Sequence, residues 1–463
     1  MKILAIVDSD SYLKWGAAAL ARMDGERSLV IVETPTLPSP AQRAAAVEGF
    51  DGVDAEPPVV SLSALRALAK GMQPDVVLLS LRGPLIRVVL REVLAVSERR
   101  PVFVSGLPGI SYPATRKALT FRSQVDVILL HSRREIQAFT EVAESMGLEQ
   151  RFGLARLPFL EHPDDDVAVD APARDEIVFA VQAKVPRYRG ERLRILGWLA
   201  ETARSHPDYR VVVKLRAVAG EAQTHREYHP YDVLLDELED RPENLVVESG
   251  SMSYHLERAA GLVTVSSTAL IEAVSLGIPG IALSDFGVSR RLINPVFEGS
   301  GLLQSSEELI AGHFRKPDAQ WLDDNYFHPA AANDWLDIVA NLVAERERHD
   351  IPLRKLAMGR AGGRLRYVWD RKRALGALDR SVSGYVALAI GYPARSVYLS
   401  VRRVVRLAKR RRNPQRVTPA MASATMAPPI LDDPASRSRN TIGTSTIGSP
   451  ESNTRMVISI WNE

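Results

Sequence analysis

The strongest chemical signal lies in Val263-Thr264-Val265-Ser266-Ser267-Thr268-Ala269-Leu270-Ile271-Glu272-Ala273, which continues to Gly277-Ile278-Pro279-Gly280-Ile281-Ala282. A β-branched apolar run, three hydroxyls and a helical pattern follow one another. A strand that turns into a helix in this way puts Ser266, Ser267 and Thr268 at the helix entrance. Free backbone N–H groups and the positive end of the helix dipole favour an anion there. Glu272 follows Thr268 by four residues and falls on the same edge, where a carboxylate can accept hydrogen bonds from the two hydroxyls of a ribose. Together these features point to a nucleotide. The plain alternative is a Ser/Thr cap on an ordinary helix.

Cations gather in a second segment. Val211-Val212-Val213-Lys214-Leu215-Arg216 is a strand that ends in two bases, and His229-Pro230 follows after an insert, Ala217 to Tyr228. Proline favours the first helical position, which leaves His229 at a helix entrance. Lys214, Arg216 and His229 can converge on a phosphate; His225, inside the insert, competes with His229. In the first half, Ser105-Gly106-Leu107-Pro108-Gly109 leaves another apolar run. Gly106 and Gly109 there admit a ligand close to the backbone, or make a plain turn. His131 ends the run Val127–Leu130, either lining a cleft or satisfied at the strand end.

These residues need a scaffold, and the apolar pattern supplies one. Short β-branched runs at Ile3–Val7, Leu29–Val32, Val76–Leu79, Val102–Val104 and Val127–Leu130 alternate with helical segments such as Leu62–Lys70, Leu85–Val96 and Arg134–Met146. The alternation restarts with Ile177–Val181, Val211–Lys214, Leu245–Val247, Leu262–Val265 and Gly280–Leu283. It predicts two doubly wound α/β domains of parallel strands with a ligand cleft between them. The expected divisions are a first domain at 1–162, a second at 163–350, a basic helical extension at 351–412 and a disordered tail at 413–463. The polar stretch from Glu161 to Pro172 reads as the linker, and the helical sequence near Ala332–Arg348 as the close of the second domain.

The chain has 463 residues and no cysteine, which excludes disulfides, Cys-ligated zinc, iron–sulfur clusters and a thiol nucleophile. The short run Ile3–Val7, with Asp8 and Asp10 behind it, reads as a buried strand of a cytosolic domain and not as a signal peptide. No phosphate-binding Gly-Lys-Ser/Thr loop, no Gly-x-Gly-x-x-Gly after a strand, no His-Glu-x-x-His and no Gly-x-Ser-x-Gly elbow occurs. Residues 354–416 hold 18 Lys+Arg against 2 Asp+Glu; the remainder therefore carries 41 basic and 54 acidic residues. An acidic body argues against nucleic acid as a partner. Within the basic segment, Val397, Val401, Val404, Val405 and Ala408 share one helical side, opposite Arg402, Arg403, Arg406, Lys409 and Arg410. Residues 396–412 are thus expected to lie on an anionic membrane surface, at the inner face of the plasma membrane, or to dock on the acidic body.

The turn Ser266–Thr268, Glu272 and the Gly-x-Pro at 277–279 resemble the donor site of GT-B nucleotide-sugar glycosyltransferases. Lys214 and His229-Pro230, with the Ser266-Ser267 pair, resemble an element of bacterial capsule-type polysialyl-, Kdo- and glycerophosphate-transferring enzymes, from which the insert at 217–228 is a departure. The resemblance implies a metal-independent, peripheral transferase of polysaccharide biosynthesis. It would need no cofactor beyond a nucleotide-sugar co-substrate, and its acceptor would be a cell-surface glycan or a lipid-linked glycan. It also implies phosphate contacts from His229 and from Lys184, Arg187 and Arg189 in the loop 182–190. The acceptor would then lie in the first half, where Asp8 or Asp10 would serve as general base. Asp8-x-Asp10 also matches a metal-binding pattern of a different transferase fold, but no further ligand cluster accompanies it, so no metal is expected. A nucleotide-sugar 2-epimerase on the same fold and an inactive binding module at the membrane are the alternatives.

Overall fold

A computed structural model describes residues 1–160, 174–215, 227–354 and 363–393. Seven parallel strands make the first sheet: β1 (Lys2–Val7), β2 (Glu26–Val32), β3 (Val59–Val60), β4 (Val76–Ser80), β5 (Val102–Gly106), β6 (Val127–Leu130) and β7 (Arg151–Leu154), in the order β3-β2-β1-β4-β5-β6-β7. Six more make the second: β8 (Glu176–Ala180), β9 (Arg210–Lys214), β10 (Leu245–Glu248), β11 (Ala259–Thr264), β12 (Gly280–Leu283) and β13 (Leu303–Gln304), in the order β10-β9-β8-β11-β12-β13, again parallel. Helices cover both faces, so central strands such as β4, β5 and β6 are buried along their whole length. That burial is why they read as continuous apolar runs and not as alternating ones.

The two doubly wound α/β sheets are those expected. The short strands β3, β7 and β13 lack the long runs that mark the others, and they sit at or near sheet edges. Both sheets lie in one compact unit, Met1–Val397. In each, the strand order reverses beside the first strand, at β1/β4 and at β8/β11. Successive loops part there and open a crevice at the carboxyl ends.

One expectation is corrected. The helix Trp335–Arg348 does not close the second domain: Trp335, Val339 and Leu342 are buried with Ile3, Val102 and Val127 in the core of the first sheet. Its entrance is tied there as well, Asp334 Oδ1 accepting from the Leu154 N–H at 2.7 Å. The helix Arg364–Leu375 also returns to the first lobe, pairing Asp370 with Arg87 of the helix Gly83–Leu94 at 3.0 Å. The linker expected at 161–172, Arg216, His225, the basic helix at 396–412 and the tail from 413 lie outside the described residues.

Candidate functional site

The second lobe brings its two crevice loops together through one side chain. Gln182, just past β8, accepts from the Ser266 N–H at 2.9 Å and also hydrogen-bonds the Ser266 hydroxyl. Ser266 is therefore buried and held inside the lobe; its hydroxyl is not presented to the gap. Ser267 accepts from the Ala269 N–H at 3.2 Å, while Thr268, half-buried, opens the seven-residue helix Ala269–Ser275. Thr268 does reach the gap. A Cβ on Gly109 of the first lobe would stand 3.2 Å from its methyl group, and Gly109 has a φ of +74°. Gly109 thus permits close approach of the two lobes at this turn.

Glu272 sits behind Thr268, half-buried. Burial raises its carboxyl pKa, and Lys14 of the first lobe is the charge that opposes the rise. Lys14 in turn lies 3.9 Å from Asp10 Oδ2, and Asp10 Oδ1 is buried with no hydrogen-bond partner among the described residues. Asp10 and Lys14 thus pair on the first helix, and the charge of Lys14 acts on Glu272 of the second lobe. Asp8 differs from Asp10. It is fully buried, and its oxygens take the Arg82 N–H at 3.1 Å and Nε at 2.8 Å. Burial raises its pKa while Arg82 pulls the other way. Asp8 therefore fixes Arg82, and Asp10 is the carboxylate with an open oxygen.

Two acceptor-side expectations change. A Cβ on Gly106 would overlap the Trp15 indole, so this glycine makes room for packing and not for a ligand. His131 does not line the gap: it is buried, its Nε2 faces Trp15 Nε1 at 2.9 Å and its Nδ1 faces the Ala155 carbonyl at 2.8 Å. Burial lowers its pKa, which keeps the ring neutral.

On the phosphate side, Lys214 is buried at the end of β9, and desolvation lowers its pKa. His229 is half-buried, and Lys184 and Arg187 stand exposed on the loop after β8. A residue that sequence reasoning missed organises this side. Arg192, buried in the helix Arg189–Ser205, donates to the carbonyls of Gln182, Ala183, Pro186 and His229 and pairs with Glu227. It clamps the loop after β8 to the segment that bears His229. Its place on a helix between charged neighbours resembles a solvated position, and no local pattern distinguishes it. Among the described residues one group has metal-ligand chemistry, Glu176, Glu248 and His255. Arg210 and Arg258 pair with Glu176, which opens β8 at the end away from Gln182.

The profile of the family described as "Putative glycosyltransferase (DUF6716)" matches residues 3–342. The chain belongs to this family. The matched span covers both sheets, both crevice loops and the start of the helix that returns to the first lobe. No functionally curated protein matches the chain. Among solved structures, a "putative UDP-N-acetylglucosamine 2-epimerase" from Listeria monocytogenes is similar at 14% identity and TM-score 0.49, covering 76% of this chain and 99% of its own. A UDP-GlcNAc 2-epimerase from Neisseria meningitidis bound to UDP-GlcNAc gives 12% and 0.45, covering 75% and 100%. UGT89C1 of Arabidopsis thaliana gives 13% and 0.38, covering 84% and 97%.

Proposed function

We propose that this family member transfers a sugar from a nucleotide-activated donor to a cell-surface or lipid-linked glycan acceptor. The observation that carries the reading is the turn at which Thr268 of the second lobe meets Gly109 of the first, four residues before Glu272. In this reading Glu272 takes the ribose hydroxyls. Ser267 and Thr268 contact the donor phosphate with Lys214 and His229, and Lys184 and Arg187 lie at the loop beside it. Ser266 acts through Gln182, as a positioning residue.

An acceptor hydroxyl oxygen attacks the anomeric carbon and its proton passes to Asp10. The bond from that carbon to the nucleotide phosphate oxygen breaks, and the hydroxyls and cations stabilise the charge left on the phosphate. No metal or further cofactor enters this scheme. Membrane attachment at the inner face is part of the reading. Its support is the basic sequence that follows residue 394 and an apolar stripe on the helix at 382–393, where Val382 is 78%, Tyr385 55%, Val386 48% and Ile390 58% exposed.

The test is a calorimetric titration with nucleoside mono- and diphosphates. The wild-type chain is expected to bind one of them, and Glu272→Ala to weaken that binding with an unchanged circular dichroism spectrum. Equal affinity overturns the ribose assignment. Incubation with donor alone is expected to give at most slow hydrolysis; an epimerised sugar overturns the transferase reading.

A further inference from the structure

We propose that the cavity at the carboxyl edge of the first sheet binds the amphiphilic phosphate portion of the acceptor, an apolar chain joined to the phosphate that carries the hydroxyl-bearing glycan, with Arg290 as the anion contact and Ile293 as a selecting wall. The inference rests on the donor and acceptor sides assigned above, and it names the chemistry of the acceptor side. The cavity measures about 560 Å³. Leu107, Pro108, Ile110, Tyr112 and Phe139 give it an apolar wall, and Ser9 and Ser11 place it beside the turn that carries Asp10. Arg82 and Arg290 line it, and no carboxylate does. Arg82 is already committed to Asp8. Arg290 is exposed and makes no ion pair among the described residues. A polar sugar alone does not account for such a wall, and an uncharged lipid does not account for the cations. A phosphate on an apolar chain accounts for both.

Arg290 and Ile293 come from the second lobe, and the loop that delivers them is held rigidly. Asn294, fully buried, accepts from the Ser289 N–H at 3.0 Å and donates to the Gly287 carbonyl at 3.0 Å. Leu292 on the other side is buried in the second core. Ile293, between these anchors, has a φ of +59°. A β-branched residue in the left-handed region is strained, and glycine or asparagine would be relaxed there. The anchors leave the isoleucine side chain 42% exposed and lining a cavity of the other lobe. Strain kept at a cavity wall suits a residue whose side chain meets a ligand.

The test is calorimetric binding to the full chain of octyl phosphate, octyl glucoside and inorganic phosphate, each below any micellar concentration and without nucleotide. Octyl phosphate is expected to bind about tenfold more tightly than either control, the charge-assisted contact and the apolar wall each contributing. Arg290→Ala should abolish the preference for octyl phosphate over octyl glucoside, and Arg290→Lys should keep part of it. Ile293→Gly should weaken both octyl ligands while the melting temperature stays level or rises, since the backbone strain is relieved. Octyl phosphate binding no better than inorganic phosphate or octyl glucoside, or unchanged binding in both variants, overturns the proposal. The nucleotide titration on the same samples keeps the two readings apart: intact nucleotide affinity without octyl phosphate binding refutes the cavity alone, and the reverse refutes the donor site alone.

Discussion

Glu272 and Gly106 show how one side chain is decided by what surrounds it. Burial holds the Glu272 carboxyl above its ordinary 4.5, so its ionised form disfavours the folded state. The stability associated with this group is complete below that ordinary value and is lost as pH rises through the raised one. Glu272→Gln removes the titration. Its melting temperature relative to wild type is expected to be level near pH 4 and to climb as pH rises above 4.5, while nucleotide affinity falls. A pH-independent difference would refute the shift. At Gly106, a methyl group would meet the Trp15 ring, which is itself engaged with His131. Gly106→Ala is expected to cost about 1–3 kcal/mol in urea unfolding, the usual range for overpacking a tight core.

The elements matter here for their ends. β1, β4, β8 and β11 have buried apolar interiors, and the crevice residues come from where each strand stops. The helix Arg189–Ser205 holds the second lobe's loops through Arg192, whose removal leaves four carbonyls and the Glu227 carboxylate short of a donor. Arg192→Met keeps the length and loses the donors. It is expected to lower stability by about 3–5 kcal/mol, as for a broken buried ion pair. Nucleotide binding should weaken even at temperatures where the variant remains folded. Normal affinity in a folded variant would separate Arg192 from the site.

At the scale of the molecule, the chain crosses from the first lobe to the second and comes back. Glu135 helps hold the lobes, accepting from the Ser111 N–H at 2.7 Å and from the Tyr326 hydroxyl at 2.8 Å. The returning segment packs Gly384 and Ala387 inward and leaves Val382, Tyr385, Val386 and Ile390 outward, followed by a run of bases without an acid up to Arg416. An apolar stripe beside like charges fits an anionic bilayer. The full chain is expected to sediment with vesicles containing phosphatidylserine, and the double variant Val386→Asp, Ile390→Asp to remain in the supernatant with nucleotide binding intact. Equal sedimentation of the two would refute a role for the stripe.

The apolar runs by themselves determined the two parallel sheets, because a strand covered on both faces has to be apolar throughout. The same runs placed Ser266–Thr268, Glu272, Lys214 and Asp10 at strand ends or first helical turns, since those positions follow from where each run stops. Only the tertiary structure decided which of these residues point outward. Ser266, Asp8 and His131 have the chemistry of a site, yet each is enclosed by a distant partner: Gln182, Arg82 and Trp15. The return of Trp335–Arg348 to the first core was likewise invisible, because an amphipathic helix records that one face is covered but not by which sheet. Contacts between residues far apart in the chain leave no periodic trace in it, and the gap between the lobes is made of such contacts.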